Sequence, residues 1–252
     1  MIHLQQVTSA LLLLFFGILA LAIWKEASAR DEPAAGWGVA GSCFVAVGTS
    51  SLLHALAAFA AVQRGPGSMV YRLTMEWAMA ANVGRAAVTL SLPVLLVVAM
   101  SRSRRIVGRP VGTVLPLLAV LALILTAAAQ PLQTGSYHQA MTTMAVMSTI
   151  LAVALMGVLL LALVMDALDR LLWAGLALFA LKEVLNVSLF AILAWWSASP
   201  DPLAVRVFYW LMLSTTVAMN GIALHRLSLA RAGARVPAPF QLGGTLRRSA
   251  TA

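Results

Sequence analysis

The chain has 252 residues, 62% of them hydrophobic and 10% charged, with a net charge of +9 and one cysteine. A soluble domain carries about 25% charged residues, so this composition excludes a water-solvated globule, and the lone Cys43 excludes an internal disulfide. Nucleic acid is not the expected partner either, because the basic residues cluster between greasy runs instead of forming a stripe on a polar domain.

Seven runs are long and apolar enough to cross a bilayer core, roughly 8–25, 36–62, 70–100, 111–130, 139–165, 170–196 and 203–228. None alternates polar and apolar residues as a membrane barrel strand does. The expected fold is an all-α, seven-transmembrane-helix bundle over 1–228, followed by a disordered basic tail over 229–252. The first run lacks a positive leader, and Ala27-Ser28-Ala29 resembles a small-residue cleavage site. Cleavage would leave six spans and move the N-terminus to the side of the basic tail, so the run is kept as a span. The second run carries Thr49-Ser-Ser-Leu-Leu-His54, in which Ser50 and Ser51 lie one turn before His54 and can satisfy its ring. A haem held by two histidines would need a second one at matching depth, and His225 lies at the opposite end of its span.

Glycine and proline turn the chain at Gln63-Arg-Gly-Pro-Gly-Ser68. The third run brings Glu76 and Arg85, with Pro93 as a kink, and the fourth carries Pro116. Between them lies the basic loop Ser101–Pro110. His138, Met141, Met144 and Met147 recur every third residue at the start of the fifth run. Imidazole and thioether suit copper(I), but each three-residue step drifts about 60° around a helix. Neighbours can meet while all four cannot converge on one ion. No cofactor is expected; copper at His138, Met141 and Met144 is the one metal reading the chain offers. The sixth run contains Lys182, Glu183 and Asn186, and the seventh contains Asn220 and His225. Trp195, Trp196, Tyr209 and Trp210 bracket the last external loop, where amphipathic rings anchor to the interface.

Sorting Lys and Arg by alternate connections puts twelve on one side and three on the other, with Arg85 and Lys182 inside spans. The basic set is Lys25, Arg30, Arg102, Arg104, Arg105, Arg109, Arg170, Arg226, Arg231, Arg235, Arg247 and Arg248. The bias places the N-terminus outside and the C-terminus in the cytoplasm of an inner (plasma) membrane, and adds attraction to anionic head groups.

Ionisable groups at membrane depth are costly and seek partners in the bundle interior. Lys182 and Glu183 lie about 16–20 Å into their span, with Arg85 at similar depth. His54, Glu76 and Asn186 are nearer the outside. Adjacent helical residues diverge by about 100°, so each charge is expected to need a partner on another helix. Glu183 is paired with Arg85, while Lys182 shares a face with Asn186 and leans towards Glu76. The cluster reads either as an interhelical clamp or as a solute, ion or proton pathway.

Arg72-Leu-Thr-Met-Glu-Trp77 resembles the third-helix pattern of microbial rhodopsins, but their retinal-bearing lysine belongs on the seventh helix, where this chain has none. Ala81-Asn-Val-Gly-Arg85, with Cys43 upstream, is similar to the exosortase arginine motif, yet Gly41-Ser-Cys-Phe44 departs from that family's cysteine context. Neither resemblance supplies site residues. No serine-hydrolase Gly-x-Ser-x-Gly or metalloprotease His-Glu-x-x-His occurs. The expected function is a non-catalytic sensor or accessory subunit working through a membrane-protein partner. The alternative is a small-solute, ion or proton transporter using the charges of the third and sixth spans. The lipid bilayer is a partner in either case.

Overall fold

The computed structural model describes residues 2–30, 32, 34–64, 69, 89–100, 137–165, 168–195 and 202–233. Among them are six helices: α1 (Ile2–Ser28), α2 (Ala35–Arg64), α3 (Thr89–Met100), α4 (Tyr137–Met165), α5 (Arg170–Trp195) and α6 (Pro202–Ala232). All but α3 are long and apolar enough to cross a membrane. These five match the first, second, fifth, sixth and seventh predicted runs. α3 is the end of the third run, and the fourth run lies outside the described residues.

Several helix ends follow from local chemistry. Asp169 precedes α5, and its Oδ1 accepts the backbone N–H groups of Leu171 at 2.8 Å and Leu172 at 3.4 Å, supplying acceptors to donors that the helix leaves unpaired. Pro202 occupies the first position of α6, where its missing N–H costs nothing. At the other end of α6, Gly233 takes φ 68° and its N–H bonds to the Ala230 carbonyl at 3.2 Å. The Arg30 guanidinium donates to the carbonyls of Ala230 and, at 3.3 Å, Arg231. Residues 229–232, expected as the start of the tail, are therefore helix.

α1 and α2 form an antiparallel hairpin of very close approach. A Cβ added at Gly17 would lie 2.5 Å from the Val45 backbone nitrogen, and one at Gly48 would lie 2.5 Å from that of Leu14. Lipid gives apolar helices no reason to hide from water, so their association rests on packing, and small residues let two backbones meet. Phe16 of α1 meets Phe44 of α2 edge-on at 4.9 Å, and Phe44 meets Phe179 of α5 in the same way at 4.7 Å. Polar side chains tie further pairs. Asn220 Nδ2 of α6 donates to the Leu12 carbonyl at 3.0 Å, Trp173 Nε1 of α5 donates to Leu159 of α4 at 2.9 Å, and Ser91 of α3 hydrogen-bonds Cys43 of α2.

The outward faces are apolar. Leu11, Phe15 and Ile18 on α1, Ile150, Val153 and Leu160 on α4, and Val217 and Leu224 on α6 are all exposed. Surfaces this apolar are matched by lipid, not by water. The helix lengths and this surface together give a multi-pass helical membrane protein.

Glycines separate interface from lipid face. Gly48→Ala pushes a methyl group into backbone and should lower the thermal unfolding midpoint of detergent-purified protein, at a cost of about 1–3 kcal/mol. Gly157, whose added Cβ would meet nothing within 4 Å, should accept Ala with an unchanged or slightly raised midpoint. Equal losses at both positions would contradict the hairpin packing.

Candidate functional site

Two buried polar networks stand out in this apolar interior. The first lies on α5. Helix geometry puts Lys182 about 18 Å from the Arg170 end of α5, and the side chains of Lys182 and Glu183 are only 11% and 8% exposed. Lys182 Nζ donates to Glu183 Oε1 at 3.1 Å, and Asn186 Nδ2 donates to Glu183 Oε2 at 3.2 Å. Both carboxylate oxygens are thus engaged from the same helix. Lys182 Nζ also sits 5.4 Å from the centroid of Phe179, where the ring's negative face attracts a cation. The aromatic series Phe16–Phe44–Phe179 therefore ends at the ammonium group.

This corrects the expectation that adjacent Lys182 and Glu183 cannot neutralise one another. The 100° between their Cα–Cβ directions fixes only the base of each side chain. Four methylenes let the lysine bend its ammonium back over the neighbouring carboxylate. Asn186 likewise serves Glu183, three residues before it, and not Lys182. The proposed partners Arg85 and Glu76 lie outside the described residues. His54 lies on α2 with its side chain outside them. His138, Met141 and Met144 occupy the first turns of α4, and their side chains too are outside the described residues.

The second network was not anticipated. Arg226 lies on α6, about 9 Å before the helix end, with its side chain 4% exposed. Its Nε donates to Asp169 Oδ2 at 2.7 Å, and its Nη2 donates to Glu32 Oε2 at 3.0 Å. Asp169 thus uses one oxygen to cap α5 and the other to hold α6. Glu32 stands in the short α1–α2 connection, where its own N–H bonds to the Ala27 carbonyl at 3.0 Å. One guanidinium thereby joins the α1–α2 connection, the start of α5 and the end of α6. Charge sorting had counted Arg226 as a loop cation; the structure makes it a buried tie. An acid immediately before an apolar run is a helix-start signal, so Asp169 was legible as a cap. Its second bond, to a residue far along the chain, was not.

Neither network resembles a catalytic arrangement of nucleophile and base. The Lys182–Glu183 bridge is made within α5, and the Arg226 network ties the α1–α2 connection to α5 and α6. Asn220 adds a neutral tie on α6, while His225 on the same helix faces outwards. No protein family, curated protein or solved structure matches the chain.

The two carboxylates around Arg226 differ in exposure, Asp169 being 9% and Glu32 29% exposed at the side chain. Arg226→Leu leaves the capping carboxylate of Asp169 buried without its cation, and should lower thermal stability by about 3–5 kcal/mol. Glu32→Gln, at the wetter arm, should cost about 1 kcal/mol or less. The reverse order in a thermal-unfolding series would contradict this account of the tie.

Proposed function

We propose that the chain is a seven-span protein of an inner (plasma) membrane that acts as a non-catalytic sensor or accessory subunit of a membrane complex. Its N-terminus is outside and its C-terminus cytoplasmic. The Arg226 network supports the odd span count. It gathers the starts of α2 and α5 and the end of α6 at one end of the bundle. α2 then ends, and α4 begins, at the opposite end. An even number of crossings between Arg64 and Tyr137 fits these ends, and α3 lies within that interval. Two crossings there complete seven. The twelve-to-three distribution of basic residues puts the Arg226 end in the cytoplasm. Taking ion-paired Arg226 out of the count leaves eleven against three.

The observation that carries the functional reading is the Lys182–Glu183–Asn186 group, bonded along one unbroken helix. A transport path presents charged groups to a solute or to water, and transporter sites typically use broken helices whose backbone joins in. Here α5 runs unbroken from Arg170 to Trp195. The ammonium bonds to the carboxylate, Asn186 bonds to it as well, and an aromatic ring lies beside the ammonium. A group of this kind stiffens an interior and leaves signalling or assembly to the outer faces.

The test is reconstitution. Vesicles containing the purified protein should dissipate an imposed pH gradient no faster than empty vesicles. Blue-native electrophoresis of gently solubilised native membranes should show the chain in a discrete assembly with other subunits. A gradient collapse that Glu183→Gln slows would instead put the transport reading first.

A further inference from the structure

Exposed indoles mark two levels of the bundle. Trp24 of α1 is 45% exposed and packs beside the α2 backbone, where a Cβ added at Gly38 would lie 3.0 Å from its Cγ. Trp210 of α6 is 60% exposed. The two helices run in parallel, because Asn220 bonds to the Leu12 carbonyl while Arg30 bonds to those of Ala230 and Arg231. The Asn220–Leu12 bond sets a common level. Trp24 lies about 18 Å from it towards one end, and Trp210 about 15 Å towards the other. The indoles are thus about 33 Å apart along the helix axes, or about 31 Å once the helices take the usual tilt of roughly 20°. An exposed cation stands beyond each, Lys25 next to Trp24 and Arg206 one turn past Trp210. No Asp, Glu, Lys or Arg occurs from residue 2 to 24 or from 207 to 225. Exposed Leu11, Phe15, Ile18, Leu211, Val217 and Leu224 lie in that interval.

We propose that the two boundaries of the hydrocarbon core cross the bundle at Trp24 and Trp210, so that the fold fits a bilayer whose core is about 30 Å thick, with phosphate at the levels of Lys25 and Arg206. The proposal rests on the membrane reading of the fold and not on the orientation or role proposed for it. An indole prefers the level of the head groups, and a cation beyond it meets phosphate charge. The order apolar, indole, cation holds at both ends, so charge complementarity selects a lipid leaflet as the neighbour at each. The register also assigns depths. Arg226 lies about 9 Å from Asn220, which leaves its backbone about 9 Å inside the Trp24 boundary. Its long side chain then carries the guanidinium towards that boundary, where it meets Glu32, 29% exposed at the side chain. Lys182 and Glu183, about 18 Å from the Arg170 end of α5, fall near the middle of the core.

Nitroxide labels on the full-length protein in phosphatidylcholine vesicles provide the test, one cysteine at a time in a Cys43→Ser background. Accessibility to oxygen and to a water-soluble nickel chelate reports the depth of each label. Labels on Lys25→Cys and Arg206→Cys should sit at the phosphate level, and those on Leu11→Cys and Val217→Cys about 10 Å deeper. A Val217→Cys label no deeper than the Arg206→Cys label would overturn the register. Nickel reaching all four labels alike would overturn the membrane reading itself. A Leu11→Cys or Val217→Cys label shielded from oxygen and nickel together would put protein on that face and reject the lipid. Phosphatidylcholines of graded acyl length give a second readout on the unsubstituted chain. Its unfolding midpoint should be highest in a core about 30 Å thick and fall by roughly 4 °C in cores about 7 Å thinner or thicker. A midpoint indifferent to thickness, or highest at either extreme, would contradict the match.

Discussion

A charge removed from water must find an opposite charge within a few ångströms, or the fold carries a penalty of several kcal/mol for each ion. This chain meets that constraint in two ways, and much of its architecture follows from them. Lys182 and Glu183 bridge within one helix, with Asn186 adding a bond to the carboxylate from the next turn. Arg226 solves it globally, taking one carboxylate from the α1–α2 connection and one from the cap of α5. The local bridge is made along its own helix. The global one fixes the positions of three elements, and with them which helix ends share a face.

Packing carries these charges into place. Glycine at residues 17 and 48 lets α1 and α2 meet backbone to backbone, which brings Phe16 edge-on to Phe44. Phe44 in turn meets Phe179, the residue whose ring lies beside the Lys182 ammonium. The interior is thus a continuous run from the hairpin glycines through three aromatic rings to a neutral ion pair. The outer faces of the described helices contrast with this interior. There an apolar surface meets lipid, and cations gather at one end.

The sequence made the spanning helices legible because hydrophobic length is a nearly sufficient signal in a membrane. Five of the predicted runs correspond to the five long helices, with ends moved by a few residues. The ends moved for reasons that length does not report, such as Arg30 binding the last carbonyls of α6 and extending it past residue 228. Membrane depth singles out Lys182, Glu183 and Asn186 as a group, but not the direct bridge between Lys182 and Glu183; the expected partners Arg85 and Glu76 lie outside the described residues. Angular separation at Cβ was taken to bind the tip of a long lysine, which has torsions enough to fold back. Arg226 was hidden for another reason. Near the end of a span, a buried cation and a loop cation look the same in one dimension. Only the fold brings Glu32 and Asp169, 194 and 57 residues away, to it.

The central claim is that Lys182 and Glu183 neutralise each other as a structural pair. A double-mutant cycle in thermal unfolding, with Lys182→Met, Glu183→Leu and the combination, tests it most directly. Each single replacement should strand one charge and destabilise the protein, and the double should recover much of the loss, with a coupling of about 1–3 kcal/mol. Additive losses would contradict the account, because they would mean that each charge is held by a partner elsewhere in the bundle.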